Sequence, residues 1–172
     1  ILTLTLMLRA IAGERRRWVR SLAIAAFALV ITQAVLGGMT VLFLIPLALA
    51  MAHTATANAF FCVVVAIAVF TSPWFIDTAA RRERSARVPL AMLAAVTTGI
   101  IYIQIMIGAL MRHLAAGLAI PDFPLSFGRA VPPAWDPYIA VNFAHRCGAV
   151  VVAAFIIWTA ARVLGGHRGE PK

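Results

Sequence analysis

Acidic side chains are scarce in this sequence: six Asp and Glu stand against fifteen Lys and Arg, and none of the six falls inside a long apolar stretch. That excludes paired carboxylates working as acid and base within those stretches. Cysteine is equally sparse. Cys62 and Cys147 lie in apolar segments, form no Cys-x-x-Cys metal spacing, and read as small buried hydrophobes rather than as a disulfide. Charged residues make up only 12% of the chain and hydrophobic ones 63%. No soluble domain of this length hides so much apolar surface, so the composition specifies an integral membrane protein. A secretory signal peptide is not evident either, because the basic cluster at 15–17 is followed by a full-length span and no cleavage-like site.

What is present is four apolar runs, at 19–36, 47–70, 88–111 and 138–161. Each approaches or exceeds the roughly 20 residues that cross a hydrocarbon core as a helix. Helix is the only plausible form, since an open sheet leaves backbone groups unpaired in lipid. The net charge of +9 raises the question of nucleic acid, but twelve of the fifteen basic residues sit in segments 9–20, 81–87 and 162–172. These are short juxtamembrane clusters without interleaved base-stacking aromatics, which argues against nucleic acid. Their one-sidedness is the positive-inside pattern and makes those segments cytoplasmic or matrix-facing. Trp18, Trp74 and Trp158 fall near the same interface, where indole rings concentrate.

The expected organisation is all-α: a polytopic membrane four-helix bundle, half or the central part of a larger tandem repeat. Residues 1–8 read as the end of a truncated helix, 18–75 as a first transmembrane hairpin, 88–162 as a second with an outer loop at 113–137, and 163–172 as a cytoplasmic tail. The repeat is visible in a motif. Gln33-x-x-x-Gly37 closes the first span and Gln104-x-x-x-Gly108 closes the third, 71 residues apart, and each is followed by an inward span with an early histidine, His53 or His145. Both hairpins have the same orientation, which makes the repeat parallel.

Those histidines are the candidate metal ligands. An ionisable ring inside a span is costly and marks a functional site. Neutral imidazole suits iron, and histidines on bundle helices can hold a haem. The small residues Ala50, Ala52, Ala55, Ala57 and Ala59 beside His53, and Gly148 and Ala149 beside His145, leave room for a flat macrocycle. The alternative is a histidine that merely bonds a neighbouring helix. Arg146 and Arg112 are candidates for pairing with a haem propionate, the alternative being that both snorkel to the interface. His113 is a weaker candidate and His167 reads as solvated. The loop at 113–137 is apolar and turn-rich, with Pro121-Asp122-Phe123-Pro124 and Pro132-Pro133-Ala134-Trp135-Asp136-Pro137. Such a loop packs down as a lid, or else lies on the lipid surface.

Gln33-Ala-Val-Leu-Gly37-Gly38-Met-Thr-Val with His53, Gln104-Ile-Met-Ile-Gly108-Ala-Leu-Met-Arg112, Gly117-Leu118-Ala119-Ile120-Pro121-Asp122-Phe123-Pro124-Leu125 with Gly128, and Asn142-Phe143-Ala144-His145-Arg146 together resemble the haem A synthase family over nearly the whole chain. The resemblance implies eight transmembrane helices in two four-helix halves, of which residues 1–8 are the end of helix two and the four spans are helices three to six. It implies haem b as cofactor and haem O as substrate, whose C8 methyl is oxidised to the formyl of haem A for terminal oxidase biogenesis in a bacterial inner membrane. Haem O synthase and terminal oxidase assembly factors are the implied protein partners. His53 becomes an axial ligand in the first half and His145 one in the second. Two features depart from the family pattern. Asn142 stands where the catalytic first half carries Glu three residues ahead of its His-Arg, and the outer-loop cysteine pair of some members is absent. The catalytic residues are therefore expected in the region preceding residue 1, and residues 1–172 alone are not expected to carry out the oxidation.

Two other classes remain compatible with the residues: a membrane cytochrome b that only carries electrons, and a non-catalytic transport or assembly module using its histidines for proton relay or packing. The apolar outer loop favours the enzyme over the simple carrier, which needs no lid over a bulky site.

Overall fold

In a computed structural model the described residues are 1–73, 75 and 90–166. Among them the fold is all-α, and four helices are long and apolar enough to cross a membrane. The chain is a multi-pass membrane protein. The helices are α1 (Leu2–Gly13), α2 (Arg17–Leu42), α3 (Leu47–Phe70), α4 (Leu90–His113) and α5 (Pro137–Gly166), with a 3-10 turn at Ala116–Leu118. Trp74, the basic segment 81–87 and His167 lie outside the described residues.

The long helices follow from composition. Leu, Ala, Ile and Val dominate them, and in an apolar solvent every peptide group must bond within its own segment. Helix starts coincide with proline: Pro46 precedes α3 with φ −62°, and Pro137 is the first residue of α5. A proline there loses no hydrogen bond, because the first-turn N–H groups have no intrahelical acceptor. Asp136 completes the start of α5, its Oδ1 accepting the Ile139 N–H at 2.8 Å, as an N-cap does.

The sequence predicts an end to the first span at Gly37–Gly38, but α2 continues to Leu42. Glycine weakens a helix in water by exposing its backbone and by its entropy. In lipid no water replaces a broken bond, so the ladder persists. The reversal falls instead on Leu44 and Ile45, both left-handed at φ 56° and 59°. Ile45 donates its N–H to the Thr40 carbonyl at 2.7 Å, closing the end of α2.

The chain divides into two compact units, Ile1–Arg84 and Ser85–Lys172. In the first, α2 packs along α3 and α1 packs against α2. Their shared core is Ala23, Ala26 and Ile67, with Leu6, Ala10, Phe60 and Val64 around it. Alanine brings the backbones close, the usual way helices associate in a membrane. The elbow between α1 and α2 is electrostatic. Arg16 Nη2 meets Glu14 Oε2 at 2.8 Å and Arg16 Nη1 donates to the Phe70 carbonyl at 2.9 Å, tying the elbow to the end of α3. The Arg16 guanidinium also lies 5.5 Å from the Trp18 ring centre, and Trp18 meets Phe70 edge-on at 5.0 Å.

In the second unit α4 packs along α5, and the 3-10 turn touches both. A buried polar contact joins the two helices where Thr97 Oγ1 and Thr159 Oγ1 lie 2.7 Å apart. Each hydroxyl also lies 2.8 Å from a carbonyl one turn earlier in its own helix, so one of the two donates to its carbonyl while the other donates across to its partner.

The elbow generates a prediction with a definite sign. Hydrogen bonds from the Arg16 side chain and backbone hold the Glu14 carboxyl down at about 2. A depressed carboxylate contributes stability above its unfolded value and loses it as pH falls through the folded one. Trp18 emission, read with the other three tryptophans replaced by Phe, is therefore expected to change as pH falls from about 4.5 towards 2. Glu14→Gln should abolish that transition. A transition of the same size in the variant would show that Glu14 does not cause it.

Candidate functional site

Each hairpin contains the same three-residue arrangement. In the first, Gln33 on α2 donates from Nε2 to the backbone carbonyl of His53 on α3 at 2.8 Å. One turn further along α2, Gly37 faces the imidazole, and a Cβ there would lie 3.4 Å from His53 Cε1. In the second, Gln104 Nε2 on α4 donates to the His145 carbonyl on α5, also at 2.8 Å. A Cβ on Gly108 would lie 2.9 Å from His145 Cε1, closer than side-chain carbons normally approach. The glutamine sets the register of the hairpin, and the glycine makes the space into which the ring fits.

The copies differ at the ring nitrogen. Gln104 Nε2 also lies 3.0 Å from His145 Nδ1. An amide N–H donated there needs Nδ1 as acceptor, which puts the proton of the neutral ring on Nε2 and makes Nε2 a donor. This proximity depends on Gly148, whose added Cβ would collide with Gln104 Oε1. His53 Nδ1, by contrast, is enclosed and has no hydrogen-bond partner among the described residues. An enclosed nitrogen without a partner is destabilising unless something supplies the missing interaction.

Both imidazoles are half-buried, held through their own peptide carbonyls and set against glycine. Among the described residues no group of three or more His, Cys, Asp or Glu gathers as a metal cage. Haem iron needs none, because the macrocycle fills four positions and single side chains fill the axial ones. Cys62 and Cys147 are free and exposed on their helices. Two cysteines placed by composition among buried hydrophobes instead sit on outward faces, where an apolar surrounding is equally served by lipid.

Arg146 and Asn142 organise the loop that joins α4 to α5. Arg146 Nη1 donates to the carbonyls of Asp122 at 2.6 Å and Leu125 at 3.0 Å, and Nη2 to that of Ile120 at 2.8 Å. Asn142 Nδ2, one turn earlier on α5, donates to the carbonyls of Ala116 at 2.9 Å and Gly117 at 3.0 Å. Five loop carbonyls are therefore gathered by two side chains of one helix. Asp122 tightens the remainder, its two carboxylate oxygens accepting the N–H groups of Phe127 and Gly128 at 2.7 Å each. Both residues are left-handed, at φ 57° and 74°, as the centre of a tight hairpin turn requires. Those N–H bonds, Gly128 first and then Phe127, hold the Asp122 carboxyl below its ordinary range. Ala116, Ile120 and Ser126 are buried beneath the loop, which packs against its own unit. Arg112 and His113, at the end of α4, are exposed and make no side-chain hydrogen bond among the described residues.

Sequence reasoning used Gln33 and Gln104 as markers of a repeat without giving them a partner. It did not see Asn142 as a loop anchor. The fixed spacing of each glutamine to its glycine was the available signal. The loop anchors carried none, because backbone carbonyls have no residue identity to read.

The model of the COX15-CtaA family, described as cytochrome oxidase assembly protein, matches residues 59–172. The chain belongs to the COX15-CtaA family. The resemblance read from its motifs is borne out. The heme A synthase of Symbiobacterium thermophilum is 38% identical over 65 residues, which cover 36% of this chain and 21% of that protein. That of Staphylococcus haemolyticus is 40% identical over 73 residues, 42% of this chain and 23% of the relative. That of Bacillus cereus strain AH187 is 34% identical over 71 residues, 41% and 22%. The chain spans about a fifth of the length of the curated relatives it matches. No solved structure matches. The COX15-CtaA match takes in the whole arrangement around His145 and begins after His53.

Two outcomes follow for this COX15-CtaA chain. Gly108→Ala should lower stability by about 1–3 kcal/mol through overpacking, and Gly37→Ala by clearly less, because its methyl meets His53 at ordinary contact distance. Thermal midpoints in one detergent decide it, and equal losses would contradict the tighter fit at His145. Arg146→Lys should loosen the loop, since a point ammonium cannot serve three carbonyls in different directions. A carbonyl left shielded and unpaired costs about 1–3 kcal/mol, and the contacts to Ile120 and Asp122 are part-buried, so amide exchange over 116–128 should accelerate about tenfold. Exchange unchanged over that stretch would show that Arg146 does not hold the loop.

Proposed function

We propose that this chain is part of a haem A synthase-type membrane oxidoreductase, in which His53 and His145 are axial ligands to haem iron. The observation that carries the reading is the repeated Gln, Gly and His arrangement, which presents an imidazole from the second helix of each hairpin. It is supported by membership of a cytochrome oxidase assembly family and by relatives named heme A synthase. In this reading the protein lies in a bacterial inner membrane with its basic segments on the cytoplasmic side. Haem b is the resident cofactor and haem O the substrate. The reaction oxidises the C8 methyl of haem O to the formyl of haem A, and haem O synthase and terminal oxidase assembly factors are the partners.

A bound haem would supply the one-electron redox chemistry that side chains lack. The chain's own residues do the rest. Gln33 and Gln104 hold the peptide groups of the two histidines, so the rings cannot slide along the hairpin. Holding iron through Nε2 would require the His145 ring proton on Nδ1, so Gln104 would then secure this histidine through its carbonyl and not through the ring. Arg146 uses three of its five N–H groups on the loop, and the two remaining are what a bidentate carboxylate contact needs. That capacity fits a haem propionate, and Arg112, exposed at the end of α4, fits a second contact of the same kind. Asn142 cannot exchange a proton near neutral pH, so the half containing His145 holds a cofactor rather than moving protons. The packed loop restricts water over that end of the unit.

The test is spectroscopic, on the full-length protein. His53→Ala and His145→Ala should each lower the bound haem or shift its spin state in reduced-minus-oxidised spectra. Wild-type spectra in both variants would refute the assignment. Co-expression with a haem O synthase, followed by chromatography of extracted haems, then separates the enzyme from a simple electron carrier. Haem binding with no haem A formed would favour the carrier.

A further inference from the structure

Away from the histidines, on the side of the membrane where α2 begins, an open cleft of about 320 Å³ runs along α2, lined by Arg17, Arg20, Ser21 and Ile24 with Ile11 of α1. Arg17 and Arg20 stand three residues apart on α2 and therefore share a face. Neither guanidinium has a hydrogen-bond or ion-pair partner among the described residues, whereas their neighbour Arg16 is fully occupied by Glu14 and the Phe70 carbonyl. The Arg20 Nε–H is enclosed by protein and still unpartnered. An enclosed guanidinium N–H left without an acceptor is unfavourable, and its geometry selects a planar or tetrahedral oxyanion.

We propose that this cleft binds the phosphate headgroup of an anionic phospholipid. The charged end alone would take any phosphate. The walls decide in favour of a lipid: Ile24 follows Arg20 by one turn into the span and is 48% exposed, and Ile11 on the opposite wall is 44% exposed. An oxyanion at Arg17 and Arg20 with an acyl chain along Ile24 covers both parts of the cleft, while a soluble anion leaves the isoleucines bare. Five arginines, Arg9, Arg15, Arg16, Arg17 and Arg20, against the single Glu14 add a positive local field, the juxtamembrane setting that draws anionic headgroups. The elbow of Arg16 and Glu14 is then a brace that holds α1 at the distance the cleft needs. This reading does not depend on the haem assignment.

The test uses the full-length protein in detergent, with retained lipid counted by native mass spectrometry. Phosphatidylglycerol and phosphatidylcholine of identical acyl chains are the probes, and inorganic phosphate is the competitor. Wild type should retain phosphatidylglycerol over phosphatidylcholine. Each of Arg17→Gln and Arg20→Gln should weaken that preference about fivefold, the contribution of one interfacial arginine. Arg20→Lys keeps the charge and loses the planar fork, and should fall between wild type and Arg20→Gln. Arg129→Gln, in the outer loop, should leave retention unchanged, and circular dichroism with thermal midpoints confirms that each variant is folded. Equal retention of the two lipids by wild type, or full retention by a folded Arg17→Gln, Arg20→Gln double variant, overturns the proposal. Displacement of phosphatidylglycerol by inorganic phosphate at comparable concentration overturns it as well, because the cleft would then read the anion alone.

Discussion

An amide N–H from one helix meeting a peptide carbonyl on the next is the contact on which the rest of this molecule is arranged. In lipid a glutamine side chain has no water to bond, and an unpaired amide there costs several kcal/mol. A helical carbonyl still has a lone pair available after making its ladder bond, so it can accept the amide without breaking the helix. Gln33 and Gln104 use that second lone pair at the same 2.8 Å, and in both hairpins the carbonyl belongs to the histidine. A slip of one residue between the helices would strand the amide and drive the imidazole into the backbone opposite. Register, glycine and ring position are consequently one constraint.

The loop between α4 and α5 obeys the same accounting with a different donor. A stretch of more than twenty residues with little regular structure carries many carbonyls, and those packed inward must be satisfied. Asn142 and Arg146 provide for five of them from successive turns of α5. Because His145 lies between these two anchors in sequence, the turn of helix that carries the imidazole is also the turn that carries the loop. Loop and ring are therefore held by one short segment of backbone.

Much of this was legible beforehand, for definite reasons. Apolar runs of membrane length predict helices because lipid permits little else, and α3 and α5 start at prolines, whose missing N–H is harmless there. The Gln-x-x-x-Gly repeat pointed to both histidines. Helix ends were harder. Gly37 and Gly38 look like a stop by the rules of water, and the chain instead turned at Leu44 and Ile45, whose left-handed backbone no propensity scale would choose. Arg146 was read as a cation awaiting an anion, because a sequence displays charges and hides carbonyls. The structure engages three of its donors with the loop.

The difference between the two copies comes down to one methyl-sized volume. Three residues after His145 stands Gly148, and the side chain of Gln104 occupies the space a Cβ would fill. Three residues after His53 stands Thr56, which has a Cβ and a hydroxyl bonded to the Ala52 carbonyl. Gln33 reaches the carbonyl of its histidine but not the ring. The outcome is one imidazole whose Nδ1 is engaged and one whose Nδ1 is enclosed without a partner. A hydrogen bond at one ring nitrogen fixes the tautomer and the basicity of the other. The repeat therefore places two histidines alike in the backbone while giving their ring nitrogens different surroundings, and the position at which the copies differ lies one turn away on the same helix.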